Sequence, residues 1–87
     1  MNSEIREILR REISELEEQI THQTALWQQM KDRHEIRWKY RRMEPEHDTD
    51  DEIEWEERSR ITEYYALYIT PLEEKLAEKR RSLALFD

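Results

Sequence analysis

Three histidines, His22, His34 and His47, are the side chains best suited to metal or proton chemistry in this sequence. Glu44-x-x-His47 has the carboxylate–histidine spacing by which di-iron bundles draw two ligands from one helix face, and such sites need a second matching motif on another helix. Here the motif straddles Pro45 and has no counterpart, so it reads as solvated charge. Asp48-x-Asp50-x-Glu52 offers oxygen ligands at alternate positions but lacks the glycine that a calcium loop uses to turn. His34 falls on an apolar stripe, where a hydrogen-bonded core or interface histidine is commoner than a ligand. The chain has no cysteine for a thiolate nucleophile or zinc ligand and no glycine for a phosphate-cradling loop. No Ser/His/Asp arrangement can be placed. The expectation is a protein that is not an enzyme, with no catalytic residue, no metal and no cofactor.

Arg37-Trp38-Lys39-Tyr40-Arg41-Arg42 interleaves aromatics with cations, as sites that stack bases and neutralise phosphates in single-stranded nucleic acid do. Trp38 also continues the apolar stripe, and 15 Lys+Arg against 22 Asp+Glu leave a formal net charge of −7 that repels polyanions. Direct nucleic-acid binding and attraction to anionic membranes are therefore not expected. There is no apolar run long enough to span a bilayer, and the start of the chain lacks the basic-then-apolar layout of a signal peptide. Together with the absence of cysteine, this makes the cytoplasm the expected location.

The elements that position these residues must be helical, because tight hairpin turns and Gly-rich loops cannot easily be built with no glycine at all. Ile5, Leu9, Ile13, Leu16, Ile20, Trp27, Met30 and Trp38 recur at helical steps, with Gln23 and His34 as polar members of the same stripe. Their spacing is nearer that of a straight helix than that of a tight supercoil. This first arm is expected over about residues 3 to 42. Pro45 removes a donor and disfavours helix at Glu44, which places a loop at 43 to 49. Thr49-Asp50-Asp51-Glu52 then reads as a capping box. A second arm over about 50 to 86 follows Ile53, Ile61, Tyr65, Tyr68, Leu72, Leu76, Leu83 and Phe86, with a kink or break near Thr70-Pro71. The fold class is all-α: a single domain, residues 1 to 87, forming a long antiparallel helical hairpin. Folding back places the basic 31 to 42 segment opposite an acidic one, since Glu44 to Glu57 contains nine acidic residues and no Lys or Arg. Opposite charge then helps to set the register.

The turn from Ile61 to Ile69 is apolar almost all the way round. Ile61, Tyr65 and Tyr68 face one way, with Leu67 roughly 120° to one side and Ile69 roughly 80° to the other at 100° per residue. One partner arm covers only one side, so Ile61, Tyr64, Tyr65, Leu67, Tyr68 and Ile69 are the candidate self-association residues of a homodimer resembling a four-helix bundle. Asp48, Asp50, Asp51, Glu52, Glu54, Glu56 and Glu57 form a candidate acidic contact surface. Ser82-Leu83-Ala84-Leu85-Phe86 resembles the Gln-Leu-x-Leu-Phe peptide by which bacterial polymerases and repair proteins dock on the DNA sliding clamp, with Ser82 where that motif has glutamine. The resemblance covers five of 87 residues and implies partner binding through Leu83, Leu85 and Phe86. Three readings of function follow: an acidic helical interaction module that pairs with itself and binds a protein partner; a small phage- or plasmid-type antagonist whose acidic run blocks a nucleic-acid-binding site on a host or defence protein; and a sliding-clamp binder.

Overall fold

A computed structural model describes residues 2–41 and 50–86. The expected loop at 43 to 49, with His47, Asp48 and the Thr49 cap, lies outside the described residues. So do the side chains of Asp50 and Asp51.

The described chain is all helical. α1 runs Asn2–Arg41, α2 runs Asp50–Tyr64, a single π-helical turn spans Tyr65–Ile69, and α3 runs Thr70–Ala84. The arms lie antiparallel, as their cross-contacts show: Lys79 with Glu12 at 2.6 Å, Arg80 with Glu17 at 3.0 Å, the Trp27 and Tyr65 rings at 4.9 Å, and His34 with Glu57 at 3.0 Å. The result is a rod of 68 × 16 × 13 Å. Its radius of gyration is 19.5 Å, against about 12 Å for a compact domain of this length.

The π-turn is the local answer to Pro71. A proline in a continuous α-helix has no N–H to donate to the carbonyl four residues back, here Leu67, and its ring clashes with that oxygen. The backbone instead widens just ahead of it, and the Thr70 N–H reaches the Tyr65 carbonyl five residues back. Pro71 then sits in the first turn of α3, where no N–H is required. The expected disturbance near Thr70-Pro71 thus takes the form of one extra residue wound into a nearly continuous arm.

That extra residue changes which side chains face α1. An α-helix running on from Ile61 would return Tyr65 and then Tyr68 to the core. The wide turn returns Tyr65 and then Ile69. Ile69 is 0% exposed, whereas Tyr68 is 54% exposed. The sequence expectation that Tyr68 shares the inward face with Ile61 and Tyr65 is corrected on this point, because a uniform 100° step does not allow for the wider turn.

Among the described residues the buried apolar side chains are Leu9, Trp38, Ile69 and Leu76. Two rods touch along a line, so most other stripe residues are covered on one side only. The hairpin as a single chain therefore has a thin core. Its accessible surface of 7271 Å² compares with about 5,600 Å² for a compact monomer of its mass.

Candidate functional site

The polar members of the first-arm stripe find polar partners across the hairpin. Gln23 accepts a hydrogen bond from the Tyr64 hydroxyl at the middle of the rod. Nearer the loop end, Glu57 lies four residues before Ile61 and so falls on the inward face of α2. Its Oε2 accepts from the Trp38 indole N–H at 2.7 Å and pairs with His34 Nδ1 at 3.0 Å, while Oε1 pairs with Arg37. The Trp38 bond, seconded by His34 and Arg37, holds the Glu57 carboxyl below its ordinary pKa of 4.5, against an opposing effect of burial. An ionised Glu57 accepts from His34, so Nδ1 carries the proton at this contact. The Arg41 and Arg37 guanidinium groups lie 5.2 and 5.9 Å from the Trp38 ring centre.

This cluster bears on two of the sequence candidates. Glu57 is taken from the acidic contact surface, because it points inward and is already committed to three donors. Trp38, 2% exposed, has no face on which a base could stack. The basic segment does meet the acidic one, through this inward carboxylate among the described residues; Glu54 also pairs with Arg58 along its own helix at 3.2 Å. Glu52 and Glu56 remain exposed, and Asp48, Asp50 and Asp51 fall outside the described side chains.

The self-association residues separate into two groups. Ile61, Tyr64 and Tyr65 are half-buried within the hairpin. Tyr65 packs edge-on against Trp27 and donates its hydroxyl to Glu73 at 2.6 Å, which raises the phenol pKa by favouring the protonated form. Ile69 is fully enclosed and has no surface to offer a second copy, a correction that again follows from the π-turn. Leu67, 66% exposed, and Tyr68 are the outward group. They border a groove of about 330 Å³ whose other walls include His22, Gln23, Pro71 and Leu72. The Tyr64 and Tyr68 rings, 4.7 Å apart, link this groove to the Gln23 hydrogen bond beneath it.

At the far end α3 stops at Ala84. Leu85 and Phe86 close a tight turn through N–H bonds to the Ser82 and Leu83 carbonyls at 3.2 and 3.0 Å. Leu83 and Phe86 are half-buried, and Leu85 is 87% exposed.

Among the described residues, no group of three or more His, Asp or Glu side chains is placed to hold a metal ion, and no helix is long and apolar enough to cross a membrane. Comparison of the chain with protein-family models, curated proteins and solved structures found no match. The structural signal that sequence reasoning missed was Glu57. Its register with Ile53 and Ile61 is legible in the sequence, but a carboxylate among the nine acidic residues of Glu44 to Glu57 does not stand out from its neighbours.

Proposed function

We propose that this chain is a non-enzymatic helical interaction module that pairs with a second copy of itself into a four-helix bundle and, as that dimer, binds a protein partner. The observation that carries the reading is the exposed Leu67 and Tyr68 pair beside its groove, on a rod with a thin core. The chain exposes roughly 1,600 Å² more than a compact monomer, about twice what one partner buries in a standard interface. Pairing two hairpins removes much of that excess and supplies the second layer that a lone pair of helices lacks. Ile61, Tyr64 and Tyr65 support the interface from within by fixing the π-turn, and a cytoplasmic setting agrees with the cysteine-free composition. Sedimentation equilibrium of the full chain tests the pairing. A dimer at micromolar concentration is expected, and Leu67→Asp should convert it to monomer by placing an unpaired charge in the interface. A strictly monomeric wild type would refute the reading.

A second reading is favoured by one specific observation. Among the described residues Leu85 is the most exposed of the large apolar side chains, and it stands just past the helix end next to Phe86. A tail that docks on a sliding clamp needs such a free leucine. Surface plasmon resonance against a bacterial clamp, comparing the wild type with Leu85→Ala, tests it. The acidic-antagonist reading loses Glu57 and retains Glu52 and Glu56, so nothing in the geometry favours it over pairing.

A further inference from the structure

Three guanidinium groups gather around one small cavity beside His34. This cavity of about 260 Å³ lies on one flank of His34, with Met30, Ile61 and the Arg37-paired Glu57 among its walls and Arg33, Arg37 and Arg60 around them. Arg37 is engaged by Glu57, whereas Arg33 and Arg60, on opposite arms, have no ion pair among the described residues. His34 itself is held at Nδ1 by Glu57, its side chain is nine-tenths withdrawn from solvent, and its buried Nε2 has no hydrogen-bond partner. A buried polar nitrogen without a partner carries a desolvation cost that a ligand atom can relieve.

We infer that this cavity is a binding site for a small organic oxyanion, a carboxylate or phosphate ester with an apolar body, whose oxygens meet Arg33, Arg60 and His34 while the body rests on Met30 and Ile61. Two guanidinium groups supply forked, permanently charged donors of the kind that oxyanions select. His34 adds a third donor at Nε2 when the ring carries a proton on both nitrogens. The other ionisable groups facing His34 are Arg37 at this cavity and Lys31, Glu35 and Arg58 on its opposite flank. Lys31 is drawn onto the Trp27 ring at 4.4 Å and Arg58 onto Glu54, so neither competes for the ligand. The net charge of −7 disfavours long polyanions in the same site, which confines the ligand to a single oxyanion group. The inference does not depend on self-pairing.

The test is an NMR titration of the isotopically labelled full chain with phenyl phosphate and, separately, benzoate. Phenol serves as the apolar control. Saturable shifts at the His34 ring and at the Arg33 and Arg60 side chains are expected from one or both anions at millimolar concentration. The anion that binds identifies the oxyanion type. Arg33→Gln and Arg60→Gln should each weaken that binding by about tenfold or more, the loss of one charge-assisted hydrogen bond. Both residues are exposed and unpaired, so these variants should keep the wild-type helical circular dichroism. Arg10→Gln, remote from the cavity, should leave affinity unchanged. The inference is overturned if neither anion gives saturable shifts, if phenol reproduces them, or if Arg10→Gln weakens binding as much as the cavity variants.

Discussion

Replacing Glu57 with alanine removes the acceptor on which three α1 side chains converge, and the size of the loss can be worked from the contacts. The Trp38 indole N–H is the most consequential, because its ring is 2% exposed and would be left facing no other acceptor. Stranding a buried donor costs about 1–3 kcal/mol. The Arg37 side chain is about half exposed and can return to water, so its share is small. His34 loses the Glu57 contact at Nδ1 from a mostly buried position, adding about 1 kcal/mol. A total of about 2–4 kcal/mol is expected for Glu57→Ala. Glu57→Gln keeps a carbonyl for Trp38 and should cost about half as much. Urea unfolding followed by circular dichroism, at one fixed protein concentration, gives the differences. The pH dependence carries a definite sign. The Glu57 carboxyl titrates lower in the folded chain than its ordinary 4.5, so its stabilisation is complete above that value and is lost as pH falls through the folded pKa. Wild type should therefore lose more stability on acidification than Glu57→Gln does. The Trp38 indole N–H resonance should move upfield in the alanine variant. A Glu57→Ala chain within 0.5 kcal/mol of wild type, with that resonance unmoved, would refute the account of this cluster.

Other perturbations separate the remaining parts of the argument. Ile69→Ala empties the most enclosed position of the rod and should cost about 2–4 kcal/mol by urea unfolding, whereas Tyr68→Ala should cost far less in any fraction shown by sedimentation to be monomeric. Leu67→Asp should abolish dimer formation while leaving the helical signal of the monomer in place. Leu85→Ala should change stability by less than about 0.5 kcal/mol, since the side chain touches almost nothing, and any larger effect would mean that the tail is packed in the assembly. Lys79→Met should lower the melting temperature slightly, and the deficit should shrink in high salt, because the Glu12 pair is substantially exposed.

The sequence made the hairpin legible because its apolar period, the absence of glycine and Pro45 all point the same way, and agreement across levels is what specifies a fold. Gln23 and His34 could be assigned to the inward stripe despite their polarity, since period outweighs residue type in a long helix. Their partners were harder to read. Tyr64 and Glu57 meet them only at one register of the two arms, and register is a property of the pair that neither arm's periodicity contains. Pro71 signalled a disturbance but not its form, because a break, a kink and a π-turn all satisfy a missing N–H. Among these only the π-turn inserts a residue, and only insertion exchanges Tyr68 for Ile69 in the core.

That exchange links the fold to the proposed activity. Had the arm continued as a plain α-helix, Tyr68 would have packed inward and Ile69 would have been rotated toward the side of the rod. The π-turn instead seals a β-branched aliphatic side chain in the core and turns an amphipathic tyrosine, with Leu67 beside it, to the surface. Tyrosine is the better residue for a surface that must be wet in the monomer and covered in a complex, since its ring contributes apolar area while its hydroxyl keeps a hydrogen bond in either state. Deleting Ala66 together with Pro71→Ala removes both the extra residue and its cause, and should restore a regular helix with Ile69 still inward. If pairing depends on how the π-turn presents Leu67 and Tyr68, that shortened chain will fold and remain monomeric. If it dimerises as wild type does, the interface lies elsewhere on the rod.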